Sequence, residues 1–464
     1  MRVEKRISGL TGRFALAVAG SATVLLVACS SGDAQSAVPT EPISTPGLTA
    51  SPTTPVATPV PQAQATPTPV PEPEPSATAE TASSQPDGPF TGEWDDDETT
   101  LVSDWVFQYQ WGTDFRYRTV HLGEIETIRS KDRIVPVDVP EFSSVSDAPG
   151  YMRPDEPVVS LVVGGHARAY PLAILMWHEI VNDTIGEQPV TVTYCPLCNT
   201  AIVFDRTVGG SELTFGTTGN LRHSDLVMWD RQTESWWQQI TGEAIVGDFA
   251  LTGTTLEIIP AAIVPWERFA LEHPEGEVLD RLSDSEGEPL HTYDRPPYAG
   301  YDNSDRYPFA YPGEVDRRLV VTSRVLTLSN DENATVYPFA FLAENPVLND
   351  VVDGQHIVAV FDDGTGSSFN DSSGDRQTAG SAVAFSRVVG DRTLTFQMDP
   401  AGMVDTETGT TWSLGGRALK GTLAGEQLAQ VVHGNHFWFA VALFWPDTEI
   451  RDSLDKLVAV PGQD

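Results

Sequence analysis

The sequence is poor in cysteine and in basic residues. Its 464 residues include 3 cysteines, too few for a disulfide scaffold. They include 28 Lys and Arg against 65 Asp and Glu, a formal net charge of −37. This imbalance excludes a nucleic-acid binder, because contact with phosphates requires basic patches. With 40% hydrophobic residues, the composition indicates an acidic protein that forms a core.

Long apolar runs are also scarce. The run at residues 14–27 is shorter than the about 20 residues that a transmembrane helix needs, and it follows a basic N-terminus. This pattern predicts a signal peptide over residues 1–28. The end of the run, Leu-Val-Ala-Cys, resembles the bacterial lipobox, which implies cleavage before Cys29 and acylation of its thiol. We therefore expect an exported protein, anchored by lipid on the outer face of the cell membrane.

Residues 29–99 are dominated by Ser, Thr, Ala and Pro, as in the Pro-Glu-Pro-Glu-Pro run at residues 71–75. A segment of this composition buries too little apolar surface to offset the entropy lost on ordering. Its prolines keep the chain extended and semi-stiff. We expect a disordered tether that holds a globular head away from the membrane.

The head contains two similar segments. Ala-Tyr-Pro-Leu-Ala-Ile-Leu at residues 169–175 is matched by Val-Tyr-Pro-Phe-Ala-Phe-Leu at residues 336–342. Further matches in the same order pair Asn182 with Asn349, Phe215 with Phe396, Asp230 with Asp405, Trp237 with Trp412 and Trp266 with Trp438. We predict one duplicated unit, with a first repeat at residues 100–295 and a second repeat at residues 296–464.

Each repeat is predicted to consist mainly of strands. The residues at 171–182 have a helical pattern, with Pro171 at the start, where its missing N–H costs nothing. The predicted fold class is mainly β, a β-rich α+β fold with one or two short helices per copy and pseudo-two-fold packing of the copies. A cleft between the copies would be the default site. Short β-branched or aromatic runs bounded by Gly, Pro or Asn occur at residues 158–163, 189–194, 201–205, 213–217 and 226–230.

With Cys29 assigned to the anchor, Cys195 and Cys198 remain, in a Cys-Pro-Leu-Cys segment between two predicted strands. Three interpretations stay open. A thioredoxin-like redox pair needs a helix after its first cysteine, whereas a strand follows here. A metal site suits a hairpin turn, because Asn199 tolerates the positive φ that often follows the second cysteine. Such a site would need further ligands, and its thiolates suit zinc or copper. The third interpretation is a structural disulfide or a pair of inert thiols.

Comparison of the repeats favours a functional role for the thiols. At the offset of the first match, Cys195 aligns with Asp362 and Cys198 with Thr365. The second repeat is therefore expected to make the same turn without thiols.

Two polar residues on the predicted helix are also specific to the first repeat. His178 and Glu179 share a narrow polar side of that helix, and Asn-Pro at residues 345–346 replaces them in the second repeat. They are candidate metal or redox residues beside the thiols. The alternative is that they satisfy polar groups in the core.

Other candidates lie elsewhere in the head. His223 is in a polar loop, and such loops often carry function, although a lone loop histidine is usually plain surface. His433 and His436, three residues apart, could share a metal or be partly exposed loop residues. Trp236, with two neighbouring tryptophans, could form a sugar platform or part of the core.

Standard catalytic motifs are absent. The sequence contains no Gly-x-Ser-x-Gly elbow, no Walker loop, no Gly-x-Gly-x-x-Gly after a strand and no His-Glu-x-x-His. The sequence therefore argues against an ordinary hydrolase, a nucleotide-binding protein or a zinc protease.

Several longer motifs point to a family. They are Trp-His-Glu-Ile-Val-Asn-Asp at residues 177–183, Thr-Tyr-Cys-Pro-Leu-Cys at 193–198, Asp-Arg-Gln-Thr-Glu-Ser at 230–235 and Asn-His-Phe-Trp at 435–438. In these motifs the chain resembles the bacterial domain-of-unknown-function family numbered 3179, over roughly residues 158–450. The resemblance implies that the Trp-His-Glu and Cys-Pro-Leu-Cys segments are family features and that the protein is extracytoplasmic. It assigns no catalytic residue.

The leading hypothesis is an extracytoplasmic lipoprotein with a thiol-based metal or redox site in its first repeat. Cys195 and Cys198 would be its centre, and His178, Glu179 and His223 its neighbours. The alternative is a non-enzymatic binding or scaffold module of the cell envelope, which would bind a glycan through an aromatic cleft. The sequence names no substrate, and it specifies no protein or glycan partner.

Overall fold

Short strands dominate the structure, as the β-branched runs of the sequence predict. A computed structural model describes residues 95–303, 307–370, 376–400 and 402–458, which belong to one compact unit. The predicted signal peptide, Cys29 and nearly all of the predicted tether lie outside the described residues. The described ranges contain many strands and a few short helices, which confirms the predicted mainly β class.

The helices are short, and most of them directly follow a strand. Pro171 and Pro338 each end a strand and form the N-cap of the next helix, with φ near −60°. The α-helices are α1 (Asp96–Phe107), α2 (Leu172–His178), α3 (Asp248–Leu251), α4 (Trp266–Glu272), α5 (Phe339–Glu344) and α6 (Trp438–Phe444). Short 3-10 helices occupy Leu122–Glu124, Val145–Asp147 and Leu454–Lys456.

The strands of the first half of the head are β1 (Ile125–Thr127), β2 (Phe142–Ser144), β3 (Pro157–Val163), β4 (His166–Pro171), β5 (Ile180–Ile185), β6 (Gln188–Cys195), β7 (Thr200–Asp205), β8 (Thr207–Val208), β9 (Ser211–Glu212), β10 (Phe215–Arg222), β11 (Asp225–Asp230), β12 (Trp236–Gln238), β13 (Ala244–Val246), β14 (Ile258–Ile259), β15 (Ala261–Pro265) and β16 (Glu277–Leu279). The strands of the second half are β17 (Arg324–Ser329), β18 (Ala334–Pro338), β19 (Val347–Val352), β20 (Gln355–Asp362), β21 (Ser381–Ser386), β22 (Val388–Val389), β23 (Arg392–Thr393), β24 (Phe396–Asp399), β25 (Gly402–Asp405), β26 (Thr411–Trp412), β27 (Ala418–Lys420), β28 (Gly434–Phe437) and β29 (Glu449–Ile450).

The sheets of the two halves have matching strand orders. One sheet has the order β15-β3-β4-β16-β2, and a second has the order β28-β17-β18-β29. In both, the first two pairs are antiparallel and the third, β4 with β16 or β18 with β29, is parallel. The order β7-β6-β5 is likewise matched by β21-β20-β19, and β10-β11-β12-β13 by β24-β25-β26-β27.

Buried hydrogen bonds recur at matching positions of the two halves. The Tyr170 hydroxyl donates to Asp183 Oδ2 at 2.7 Å, and the Tyr337 hydroxyl donates to Asp350 Oδ2 at 2.7 Å. The same correspondence holds for the bonds of Asn182 with Phe215 and Asn349 with Phe396, and of Trp237 with Asp230 and Trp412 with Asp405. The halves thus share connections and contacts, while descent from one duplicated unit stays a prediction.

The connection that carries the thiols differs between the halves. Residues 196–199 join β6 to β7, whereas residues 363–380 join β20 to β21. The expectation that the second repeat makes the same turn without thiols is therefore wrong, because the second half has a long loop there. The alignment of the cysteines with Asp362 and Thr365 consequently does not test whether the thiols stabilise the short turn.

The predicted helical range, residues 171–182, is longer than the observed helix. Its helical part, α2, ends at His178, because Glu179 adopts the left-handed conformation with φ 59°. The β-branched residues that follow form β5 and pair with β6, so Asn182 and Asp183 belong to a strand. No helix in the described ranges is long and apolar enough to cross a membrane.

The start of the head also differs from its predicted boundary. Helix α1 begins at Asp96, inside the segment predicted as a tether up to residue 99. Its Asp95 N-cap and Glu98 form a reciprocal capping box, and Trp105 is 1% exposed. The folded part therefore includes residues that composition alone assigns to the tether.

The largest buried apolar cluster includes residues of both halves. It contains Cys195 and Cys198 together with Phe437 and Trp438 at the start of α6. The short thiol turn is thus packed inside the molecule, against an element from the other half.

The paired tyrosine contacts give a test of the fold. Replacing Tyr170 or Tyr337 by Phe removes a hydroxyl that donates to a buried carboxylate. We expect each change to lower the free energy of unfolding by about 1–3 kcal/mol, because the acceptor loses a buried bond. Urea denaturation of the full chain measures this. Tyr307→Phe, at a residue that is 58% exposed, is the control and should have an effect within about 0.5 kcal/mol. No loss at either buried position would contradict the assignment.

Candidate functional site

The two remaining cysteines lie where the tips of two hairpins meet. The Cys195 and Cys198 sulfur atoms are 3.6 Å apart at the β6–β7 turn. The Ser224 carbonyl oxygen, at the β10–β11 turn, is 3.2 Å from Cys198 Sγ and 3.7 Å from Cys195 Sγ. A carboxylate oxygen of Asp225 and the two sulfur atoms all lie within 4.8 Å of one another. Four potential metal ligands thus converge in the interior.

Both turns require unusual backbone conformations. Asn199 has φ 53°, which confirms the expectation of a positive φ after the second cysteine. His223 and Ser224 have φ 56° and 67°, the pattern of a two-residue hairpin turn that normally favours Asn-Gly. With Glu179, these are four of the nine described non-glycine residues that have a positive φ. Such strained positions cluster at functional sites.

The Asp225 carboxylate is held at one oxygen and unpartnered at the other. Oδ2 accepts hydrogen bonds from Gln238 Nε2 at 2.7 Å and from the Ile240 N–H at 2.9 Å. Oδ1 is buried and accepts no hydrogen bond from a described group. Because buried acceptors are nearly always satisfied, this oxygen is available to an additional ligand.

Burial controls the ionisation of the cluster. It raises the pKa of Asp225 to about 6, against the opposing effect of the bonds from Gln238 and Ile240. Burial, and then the charge of Asp225, raise the pKa of Glu179 to about 8. Burial also raises the thiol pKa of Cys195 and raises that of Cys198 further. The interior therefore disfavours negative charge on these groups unless a cation compensates it.

The second half of the protein holds the thiol turn in place. The Phe437 N–H donates to the Cys198 carbonyl oxygen at 2.9 Å. Asn199 Nδ2 donates to the Asn435 carbonyl oxygen at 3.1 Å. Backbone groups of β28 thus fix both the second cysteine and the residue after it.

A cavity of about 610 Å³ opens beside Cys195. Glu179 and Asn220 also line it, and Asn220 is 1% exposed with neither side-chain polar atom hydrogen-bonded to a described group. The other lining residues are mostly apolar or aromatic: Ile128, Arg129, Ile134, Leu197, Thr217, Gly219, Leu221, Leu226, Tyr298, Tyr301, Tyr307, Pro308, Phe309 and Ala310. The cavity is lined by residues 128–226 of the first predicted repeat and by residues 298–310, which the predicted boundary assigns to the second. The expected cleft between the copies stays a prediction.

A family model for proteins of unknown function, DUF3179, matches residues 131–448. This chain belongs to the DUF3179 family. The match confirms the resemblance seen in the Trp-His-Glu and Cys-Pro-Leu-Cys motifs. It contains the thiol turn, most of the cavity and the whole second half up to α6. Comparison with curated proteins and with solved structures found no match. The match therefore establishes the family of this chain, and because the family has no known function, any chemistry has to be inferred from the site.

Of the predicted neighbours of the thiols, Glu179 lines the cavity with Cys195, whereas His178 makes its hydrogen bonds with other residues. His178 Nδ1 donates to the Val135 carbonyl oxygen at 2.8 Å, and Nε2 accepts from the Tyr293 hydroxyl at 2.8 Å. Both ring nitrogens are therefore occupied, and His178 does not belong to the thiol cluster.

His223 contributes its backbone to the site and directs its side chain away from the thiols. Its Nε2 lies 3.2 Å from a carboxylate oxygen of Glu124. Its ring lines a separate cavity of about 580 Å³ with residues of α1. The histidine therefore helps to form the hairpin turn, while the neighbouring Ser224 supplies the oxygen near the sulfurs.

In the second half, His436 is buried and His433 is half-buried, and neither forms a metal-binding group with the described acids or thiols. Burial lowers the pKa of His433 to about 4 and that of His436 to about 3. His436 Nδ1 is hydrogen-bonded with the Thr200 hydroxyl at 3.1 Å, so this histidine helps to brace β7.

Trp236 is 0% exposed and packs in an aromatic cluster. Its ring lies about edge-on to Trp105, Trp111 and Phe115, at centroid distances of 5.0 to 5.2 Å. A sugar platform requires an accessible ring face, which Trp236 does not present. The described structure places this residue in the core that joins α1 to the sheet β10–β13.

The sequence pattern did not indicate the oxygen ligands near the thiols or the residues that line the cavity. Ser224 and Asp225 lie next to His223 in the predicted polar loop, yet only the packing of the β10–β11 hairpin against the thiol turn brings them to the sulfur atoms. Asn220, in β10, carries the cavity amide that has no hydrogen bond to a described group. Tyr298 and Tyr301 belong to the segment between the halves, which carried no signal beyond its tyrosine and proline content.

Thiol reactivity tests the burial of the cluster. In the metal-free full chain with Cys29→Ser, we expect Cys195 and Cys198 to react with a chromogenic disulfide at pH 8 at least about tenfold more slowly than in urea. The reason is that burial both raises the thiol pKa and blocks access. Absorbance at the released chromophore gives the rates. Equal rates in buffer and in urea would contradict this placement.

Proposed function

We propose that this DUF3179 protein binds a divalent transition-metal ion of the zinc class. The ligands would be the thiolates of Cys195 and Cys198, the Asp225 carboxylate and the Ser224 carbonyl oxygen. The observation that carries the proposal is the convergence of these four groups at two strained hairpin turns, with Asp225 Oδ1 buried and unpartnered.

The distances between the ligands suit a tetrahedral ion. With zinc–sulfur bonds of about 2.3 Å, two sulfurs of a tetrahedron lie about 3.8 Å apart, and a sulfur and an oxygen lie about 3.6 Å apart. The observed Sγ–Sγ distance is 3.6 Å. The Ser224 oxygen lies 3.2 and 3.7 Å from the two sulfurs. Small side-chain adjustments would therefore complete the site.

The donor set favours a borderline ion. Two sulfur ligands select against magnesium and calcium, which prefer oxygen alone. Two oxygen ligands select against copper(I), which prefers sulfur. Zinc accepts both kinds of donor, and an ion bound at Cys195, Cys198 and Asp225 would compensate negative charges that the interior otherwise disfavours.

The location proposed for this activity is the outer face of the cell membrane. The basic N-terminus, the short apolar run and the lipobox-like sequence before Cys29 support this. A metal site in an exported protein would be exposed to metal ions from outside the cell. The hydrogen bonds between β28 and the thiol turn would keep the geometry of the ligands rigid.

One observation favours a second candidate, a dithiol redox site. Cys195 lines the cavity, and Cys198 lies directly behind it at 3.6 Å. A low-molecular-weight disulfide such as glutathione disulfide could then exchange with the two thiols. The protein would gain one disulfide, and two small thiols would leave with the two protons.

Metal analysis decides between these functions. We expect the purified full chain with Cys29→Ser to contain or take up about one equivalent of zinc after dialysis, because four ligands are preorganised. Inductively coupled plasma mass spectrometry measures this. Cys195→Ser and Asp225→Asn should each lower the retained zinc at least about tenfold.

Asp391→Asn is the control for charge removal, since Asp391 is 99% exposed in its side chain and distant from the thiols in sequence. It should retain zinc as the parent does. A chain that retains no zinc and instead forms a Cys195–Cys198 disulfide with glutathione disulfide would replace the metal proposal by the redox candidate.

A further inference from the structure

Glu179 is a buried acid without a partner in the described structure. It is 7% exposed and sits at the left-handed end of α2, where it lines the cavity beside Cys195. No described residue donates a hydrogen bond or forms an ion pair with its carboxyl group. An unpaired buried carboxylate is costly, and a ligand that supplies positive charge would remove that cost.

The walls around this acid are aromatic. Tyr298 lines the cavity together with Glu179, and burial, and then the charge of Glu179, raise the pKa of its hydroxyl. Tyr301 is 9% exposed, whereas Tyr307 and Phe309 are 58% and 46% exposed and form the outer part of the wall. Aromatic faces attract cations, and the attraction strengthens where water is excluded.

We infer that this cavity binds a small organic cation, such as a quaternary ammonium compound, with Glu179 as its counter-charge and the tyrosines as its aromatic wall. The interior disfavours a negative charge on Glu179 unless a cation compensates it, so a bound cation would stabilise the carboxylate form of this residue. The inference goes beyond metal binding and does not depend on it, since Glu179 is outside the proposed ligand set.

Two further residues indicate a polar group on the ligand. Asn220 presents an amide whose nitrogen and oxygen are both unpartnered, which suits a hydroxyl or carbonyl group. Arg129 is exposed and also lines the cavity, so it can meet an anionic group at the opening. The volume of about 610 Å³ lies within the usual range for small-molecule sites.

A pair of isosteres tests the charge requirement directly. Choline and 3,3-dimethylbutan-1-ol have nearly the same shape and the same hydroxyl group, but only choline is charged. Titration calorimetry on the full chain should show choline binding, with the neutral alcohol at least about tenfold weaker. Equal affinity for both compounds, or no choline binding at millimolar concentration, would overturn the inference.

Variants assign the binding to this cavity. Glu179→Gln keeps the shape of the side chain and should weaken choline binding at least about tenfold, whereas Tyr298→Leu should weaken it and Tyr298→Phe should not. Glu187→Gln is the matched control, because Glu187 is exposed at the turn between β5 and β6. Unchanged choline affinity in Glu179→Gln would contradict the assignment.

Two controls separate this inference from folding defects and from the metal proposal. Each variant is compared with the parent by thermal unfolding, and the comparison of choline with 3,3-dimethylbutan-1-ol on the parent chain tests the charge requirement even if a variant fails to fold. Choline binding is measured with and without a zinc chelator. Choline binding by a chain that retains no zinc would support the cavity and refute the metal site. Zinc retention by a chain that does not bind choline would refute the cavity alone.

Discussion

The rest of the structure depends on how the short turn from Cys195 to Thr200 is enclosed. Both thiols lie in the largest apolar cluster, and β28 from the other half donates to the Cys198 carbonyl oxygen and accepts from the Asn199 side chain. The same turn faces the hairpin tip of Ser224 and Asp225. Burial on all sides brings four potential ligands together and removes the water that would otherwise stabilise their charges.

The two halves share their strand orders and several buried hydrogen bonds, but they differ in what they contribute to the candidate site. Both have the same sheet order and the same buried Tyr–Asp, Asn–backbone and Trp–Asp bonds. In the first half the connection at residues 196–199 is short and carries the thiols, while the second half has the long connection at residues 363–380. The second half holds the thiol turn in place through β28, and the four potential ligands lie in the first half.

Sequence alone was sufficient for much of this fold and for part of the site. The strands, the hairpin around Cys195 and Cys198, the positive φ of Asn199 and the family follow from local patterns. The helix end at Glu179 did not, because an apolar run from Pro171 onward suits a helix until strand pairing competes with it. Asp225 could not be assigned, since its approach to the thiols depends on packing between two hairpins that are separate in sequence.

X-ray absorption at the zinc edge tests zinc binding by Cys195 and Cys198, because it reports the atoms bound to the ion. We expect two sulfur neighbours at about 2.3 Å and two oxygen neighbours at about 2.0–2.2 Å in the zinc-loaded full chain with Cys29→Ser. Loss of the sulfur shell in the variant with both Cys195→Ser and Cys198→Ser would agree with it. A spectrum of oxygen and nitrogen neighbours only, in the chain with both thiols intact, would contradict it.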